Sequence, residues 1–576
     1  MNQSGILASL GPLGKGVEVA LHQMESDRVL HRLWSHDHTL WHPEPTEIIN
    51  RLGWLHSPEN MQREVPRLLG WASSVRAEGL SQVVLLGMGG SSLAPELFGK
   101  VLAGPLALDF AVLDTTDPAA VLASQDRLDP QHTLVIVSTK SGGTVETMSL
   151  FKCFWNWLAK SLKRSEVGQR FVAITDPGSS LEALAQNLHF RDVFLNDPNI
   201  GGRYSGLSFF GLVPAALLDV DLKLLLDRAQ TAATQCAAEV PLGENPGAQF
   251  GAILGAVADA GHDKVTFVLP PELASFGDWV EQLLAESTGK DGHGLIPVVG
   301  EPVGAADVYG EDRLFVHMAL GNAPAPCEEE VARLSESGHP VVRLRWHDRY
   351  DVGAQFFLWE LATALVCARW EINAFDQPDV ESAKVIARQM LQEYLAAGTL
   401  PAELPAWEGD GMAVYTGAGE AVGVGGQGCV NPVGLLLGAF LQQAQPGAYV
   451  AVQAYLQPTG ALESALLDLR AAIRDRYQLA VTVGYGPRFL HSTGQLHKGD
   501  SGNGWFIQLT ADDPVDLPIP DQAGQDGSSV SLSVLKAAQA LGDWRALRAV
   551  GRHALRIHLS GDIIGGVHSL ASALSA

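Results

Sequence analysis

Cysteine is scarce: five in 576 residues, at positions 153, 236, 327, 367 and 429. The number is odd and no two stand in C-x-x-C spacing. Neither a disulfide framework nor a cysteine zinc site is expected, and a reducing compartment is the natural setting. Basic residues are short as well: 39 Lys and Arg stand against 64 Asp and Glu, a formal net charge of -25. Nucleic-acid binding needs a basic face, so that class is excluded, and anionic membranes are disfavoured. A small anionic ligand is still allowed, because a local cluster of cations overrides the global field. No run of 18 apolar residues offers a membrane span. The opening MNQSGILASLGPLGKG lacks a basic stretch followed by a sustained apolar one, so no signal peptide and a cytoplasmic protein are expected.

What is present points to a large α/β enzyme. The chain is 46% hydrophobic with 61 glycines, enough for two to four domains. Residues 1–75 read as helices and loops. Residues 76–235 read as a first domain, with apolar runs VVLLG, DFAVLDTT, HTLVIVSTKSGGT and RFVAITDP separated by helical stretches. Such runs predict a parallel sheet covered on both faces, with ligands at the carboxyl ends of its strands. A second unit, 236–400, has strands KVTFVLP and HPVVRLRW, a helix over 272–290, and a long apolar helix over 352–373, expected to be buried on most sides. The Pro- and Gly-rich stretch 398–411 reads as a linker. A C-terminal α/β segment, 401–576, follows.

The chemistry concentrates in turns after these strands. "LGMGGSSL" starts like a dinucleotide fingerprint, with Gly87 and Gly89 in place, but Ser92 stands where the third glycine belongs. "STKSGGT", Ser138 to Thr144, offers four hydroxyls, two glycines and a lysine before a helix. Helix N-termini leave N–H groups that attract anions, and glycine admits a ligand to the backbone. The alternative is that these hydroxyls only cap their helices. In "GGRYSGLS", Arg203 follows a glycine pair and offers fixed donors. In "EQLLAESTGK", Gln282 and Glu286 share a helical face and "STGK" stops the helix. "FDQPDVESAK" puts Gln377 and Lys384 seven apart, expected on one helical face. His491 sits in the glycine-rich "GYGPRFLHSTGQLHKGDSG". Taken singly, each is more ordinary as an ion pair, an exposed helical residue or a loop histidine.

Together these motifs resemble the glucose-6-phosphate isomerase (phosphoglucose isomerase) family, built on two sugar-isomerase (SIS) domains. The resemblance is closest to the isomerase half of bifunctional transaldolase/glucose-6-phosphate isomerases. It covers most of the chain. It implies two SIS-type domains with parallel sheets flanked by helices, plus the C-terminal α/β segment, and no cofactor or metal. It implies a sugar phosphate held by Ser91, Thr139, Ser141 and Thr144, with Gly90 and Lys140 in the same loops. Glu286 matches the base between C2 and C1. Arg203, Gly202 and Gln282 lie beside the reacting carbons, Gln377 and Lys384 near the sugar, and Lys384 and His491 serve ring opening. In this family the histidine is often supplied by a neighbouring subunit, which implies a homodimer. Ordinary members place it between the glutamate and the lysine. Here the order is Glu286, Lys384, His491, as in the fused proteins, and His317 and His293 are the alternatives. With no (β/α)₈ region, transaldolase activity is expected to be absent, leaving a transaldolase partner conceivable.

Aldose–ketose isomerisation needs only acid–base help at the ring, one carboxylate and support for a cis-enediolate. A non-catalytic sugar-phosphate sensor is the competing class. "HDHTLWH" has His36, His38 and His42 at a conceivable metal spacing, but no acidic cluster accompanies them. "GVGGQG" (423–428) lacks the Lys-Ser/Thr of a P-loop and reads as a turn.

Overall fold

The computed structural model describes residues 6–416 and 432–575; the 423–428 stretch lies outside the described residues. Among the described residues, two five-stranded sheets, one six-stranded sheet and a two-stranded pair form. The expected fold class, α/β with parallel sheets flanked by helices, is what the chain adopts.

The first sheet runs Asp109–Leu113, Gln82–Gly87, Thr133–Ser138, Phe171–Thr175, Asp192–Leu195, all parallel. Val83 to Leu86 and Leu134 to Val137 are fully buried. A strand covered on both faces has to be an uninterrupted apolar run, which is why these two were legible. The chain passes from Gln82–Gly87 outward to Asp109–Leu113 and returns to Thr133–Ser138 on the other side. The carboxyl ends of the two central strands therefore flank a topological switch point, where such sheets bind ligands. Gly87 pairs in register with Ser138, so the two Ser/Gly turns begin side by side.

The second sheet places Arg313–Leu320 and Lys264–Val268 centrally, with Val341–Trp346 and Ile296–Val298 outside them, all parallel. Its edge departs from the reading of residues 1–75 as helices and loops. Ile6–Ser9 is a strand, antiparallel to Val341–Trp346. Only Ile6 of its four residues is buried, too short a pattern to show alternation. The long apolar helix is Asp351–Arg369. By length and composition it could cross a bilayer, yet most of it is buried inside the protein. Trp359 meets Phe250 edge-on at 4.5 Å between ring centroids.

The third sheet has four parallel strands, His553–Leu559, Gly504–Ala511, Tyr449–Tyr455 and Ala480–Tyr485. The stretch expected as a linker ends in a hairpin, Trp407–Gly409 with Met412–Tyr415, that adds an antiparallel edge. Tyr449–Tyr455 is buried along its whole length and seats its own hydrophobic core.

Candidate active site

The first Ser/Gly turn comes within reach of two other loops because glycine lets it. Gly89 has φ +54°, and a Cβ there would lie 2.6 Å from the His491 carbonyl oxygen. A Cβ on Gly90 would lie 2.1 Å from the Gly202 carbonyl oxygen. The 89–91 turn is thus wedged between the Arg203 loop and the His491 loop, and any side chain there would push them apart.

The hydroxyls of these turns do not cap their helices. Leu93–Val101 and Val145–Ala159 start at Ser92 and Thr144, and neither side chain bonds to its helix. Ser208, Ser179 and Asp117 elsewhere in the chain do cap. Thr144 Oγ1 instead lies 2.9 Å from Thr139 Oγ1. Ser91 is half-buried at the turn and Ser141 exposed, with Ser138 Oγ donating to the Ser91 carbonyl at 3.1 Å. Two hydroxyl-bearing turns, each followed by a helix, thus lie side by side at the switch point, and the free N–H groups of a helix start favour anions. Ser92 is fully buried, with Oγ 3.1 Å from the Gly89 carbonyl and 3.3 Å from Asp114 Oδ2.

Lys140 lies in the second of these turns, where its ammonium is paired with the Asp176 carboxylate and donates to the Pro198 carbonyl at 3.2 Å. The pairing ties the turn to the end of the next strand. Gln377 departs from the expected helical placement. The helix starts at Val380, so Gln377 lies in the loop before it while Lys384 stands within its early turns.

Arg203 is the most heavily partnered residue of the site, with a side chain 3% exposed. Its Nε donates to Ser287 Oγ at 2.8 Å, and one terminal nitrogen donates to the Ala374 and Asp376 carbonyls at 2.7 and 2.9 Å. The other donates to Gln377 Oε1 at 3.1 Å and stands 3.5 Å from Glu286 Oε2. Lys290, missed in the sequence, clamps the same loop: its Nζ donates to the Asn373 and Asp376 carbonyls at 2.6 and 2.7 Å. Burial, and Arg203 beside it, push the Lys290 ammonium below its ordinary value.

Glu286 projects from Ala274–Thr288, one turn beyond Gln282. Gln282 Nε2 donates to Glu286 Oε2 at 3.0 Å and to the His491 carbonyl at 2.7 Å. Two acceptors fix which end of the amide is nitrogen. The buried Gln282 Oε1 is left with no partner in the protein. This link also brings the His491 loop to the Glu286 helix within a single chain.

His491 ends the turn Arg488–His491. Its Nε2 is 2.9 Å from Glu146 Oε1. Glu146, which the sequence reading passed over, is buried in the first turn of Val145–Ala159. Burial alone would raise its carboxyl. The charge and hydrogen bond of His491, a backbone N–H and the Lys384 ammonium outweigh it and hold the carboxyl below its ordinary value. Lys384 is close enough for its charge to act on Glu146, while its Nζ lies 3.4 Å from Glu381. The alternative histidines are elsewhere. His317 is buried on its strand, 2.7 Å from the Pro326 carbonyl, and His293 stacks on Trp370 with 5.0 Å between ring centroids. Among the described residues no group of three or more His, Cys, Asp or Glu is placed to hold a metal. His36 meets His56 at 3.3 Å and His38 turns to the Pro43 carbonyl.

Behind the site, Glu281 lies beside Asp278, Arg488 and Ser492. Desolvation and Asp278 raise its carboxyl to about 8, against the pull of Arg488, Arg470 and the Ser492 hydroxyl. A carboxyl raised on folding must take up a proton to fold. Stability therefore falls as pH rises from the ordinary value of 4.5 to about 8 and is flat beyond. Thermal melts across this window will show Glu281→Gln matching the wild type at the acid end and exceeding it by a growing margin toward the alkaline end. A constant offset at every pH would contradict the assignment.

Hydroxyl-bearing turns at the switch point of one parallel sheet, with Arg203 from a loop that follows the same sheet's last strand and Glu286 from a helix of the second unit, define a parallel-sheet α/β protein with a composite polar site. The phosphoglucose isomerase family model matches residues 68–292. The chain is 30% identical over 397 residues to the glucose-6-phosphate isomerase of Carboxydothermus hydrogenoformans, covering 58% of this chain and 83% of the relative. It is 29% identical over 369 residues to that of Rubrobacter xylanophilus, covering 55% and 83%. A hypothetical protein from Thermus thermophilus superposes with a TM-score of 0.59 at 26% identity, over 67% of this chain and 99% of that one. A glucose-6-phosphate isomerase from Chlamydia trachomatis shares the fold, with a TM-score of 0.55 at 18% identity over 66% and 86%. The chain belongs to the phosphoglucose isomerase family.

Proposed function

We propose that this protein interconverts D-glucose 6-phosphate and D-fructose 6-phosphate, a cytoplasmic step of sugar-phosphate metabolism. The observation that carries the reading is Gln282, which ties Glu286, with Arg203 at 3.5 Å, to the loop of the His491–Glu146 pair by donating to Glu286 Oε2 at 3.0 Å and to the His491 carbonyl at 2.7 Å. The phosphate sits among Ser91, Thr139, Ser141 and Thr144, and its binding energy orients carbons several bonds away. Glu146 accepts the Nε2–H of His491, so Nδ1 is the nitrogen left for the sugar. His491, with Lys384 beside it, moves protons between the ring oxygen and the anomeric hydroxyl to open the ring. Glu286 then takes the C2 proton and returns it to C1. The negative charge that appears on the enediolate oxygens is met by the fixed Arg203 guanidinium. Gln282 Oε1, unpartnered and buried, accepts a sugar hydroxyl. The pairing of His491 with Glu146 at 2.9 Å favours it over His317, which bonds to the Pro326 carbonyl, and over His293, which stacks on Trp370.

The test is a coupled assay: purified protein, fructose 6-phosphate, and glucose-6-phosphate dehydrogenase with NADP⁺ as reporter. Turnover is expected. Fructose 6-phosphate bound without turnover would replace the isomerase with a sugar-phosphate sensor.

A further inference from the structure

The helix Leu532–Ala549 lies far outside the segment that the family model matches, and it carries three polar residues on one face: Lys536, Gln539 and Asp543. All are buried, at 4%, 4% and 0% exposure. Buried polar groups need partners, and these find theirs in other parts of the molecule. Lys536 Nζ donates to Asp117 Oδ2 at 2.7 Å, beyond the carboxyl end of the first sheet's outer strand. Asp543 accepts from Lys498, just after the His491 loop, at 2.5 Å. Gln539 lies between them. Its Oε1 accepts from Thr116 Oγ1 at 3.1 Å, and its Nε2 donates to Glu146 Oε1 at 2.6 Å. That oxygen is the one bonded to His491 Nε2 at 2.9 Å.

We propose that Gln539 is a positioning residue for the His491–Glu146 pair. Anchored at its other end by Thr116, its amide gives the buried carboxylate a second donor. A carboxylate that accepts hydrogen bonds holds its proton less tightly, so this donor helps to keep Glu146 ionised where burial would neutralise it. Two donors on one oxygen also fix the plane of the carboxylate, hence the tilt of the imidazole and the direction of Nδ1. The C-terminal unit thus supplies both the histidine and the residue that orients the histidine's partner. For the reaction it serves, this inference rests on the isomerase reading. The titration it predicts does not.

Two variants test it. Gln539→Leu removes both hydrogen bonds. Gln539→Glu keeps the shape and replaces a donor with a second acid. The first readout is the NMR titration of the His491 imidazole, assigned by comparison with His491→Asn. Losing the donor raises the proton affinity of the pair, so its titration moves up by about one unit in Gln539→Leu, while in Gln539→Glu the two facing carboxyls share a proton and the pair gains a second titration step. The second readout is exchange between the α and β anomers of glucose 6-phosphate, which reports ring opening alone. It falls about tenfold in Gln539→Leu, the worth of one charge-assisted hydrogen bond. A merely structural role would lower the folded fraction and every rate together and leave the titration in place. An unmoved titration, or unchanged anomer exchange in an otherwise active protein, overturns the proposal. If Gln539→Leu does not fold, the near-isosteric Gln539→Glu carries both measurements. If the wild type shows no isomerase turnover, the reading above fails while the titration still decides the role of Gln539.

Discussion

Glu286→Gln is expected to lose about 10³- to 10⁴-fold in kcat, the usual contribution of a general base, with KM nearly unchanged. The amide has the shape of the carboxylate. It can still accept from Gln282 Nε2, which donates to Glu286 Oε2 at 3.0 Å, so the helix and the His491 loop keep their link. It cannot take a proton from carbon. The phosphate cradle lies on the first sheet and Glu286 on the helix Ala274–Thr288, so binding of the phosphate is not disturbed. Solvent deuterium incorporation at C2 should vanish with turnover. Anomer exchange should persist, because ring opening belongs to His491 and Lys384. That split separates a lost base from a damaged site, which would lower both together. Turnover within a few-fold of wild type would remove Glu286 from the chemistry and leave no other carboxylate beside Arg203 to replace it among those the structure brings to the site.

What the sequence disclosed follows burial. Val83–Leu86 and Thr133–Ser138 are central strands, buried on both faces, and had to be continuous apolar runs. Arg313–Leu320 is just as central but escaped notice, because Arg313 and His317 interrupt its pattern. Arg313 is tolerated there only because Glu301, equally buried, meets it at 3.0 Å. The turns themselves were legible because Gly, Ser and Thr cluster after a strand end, where the structure places them. Glu146 was not. It sits in an apolar helical run, and its partner His491 is 345 positions away. The partner of Lys140 was hidden for a related reason: only the fold brings Asp176, at the end of the next strand, to its ammonium. Pairings between units leave no local periodicity, so a single sequence carries the chemistry of the cradle better than the contacts that orient it.

Arg203→Lys is the second large effect, expected to cost about 10²- to 10³-fold in kcat, the range seen when one fixed donor to a developing oxyanion is lost. The substitution keeps the charge, and that is its value as a test. The guanidinium is held at Ser287 Oγ, at the Ala374 and Asp376 carbonyls and at Gln377 Oε1, and these partners pin its position beside Glu286. An ammonium has three donors and no plane, so it cannot satisfy that set and remain where the guanidinium stood. Lys290 already donates to the Asp376 carbonyl, so a new lysine would compete with it for the same acceptor. The thermal midpoint should therefore drop as well, since buried carbonyls lose their donors. KM should rise far less than kcat falls, because the cradle hydroxyls keep the phosphate. Arg203→Ala goes further, leaving a space into which guanidinium from solution can bind. Partial recovery of turnover on adding it, at concentrations that do not denature the variant, would show that a positioned cation is what the reaction needs. Unchanged kcat in Arg203→Lys would mean instead that Arg203 only braces the 374–377 loop, and that the enediolate finds its support elsewhere.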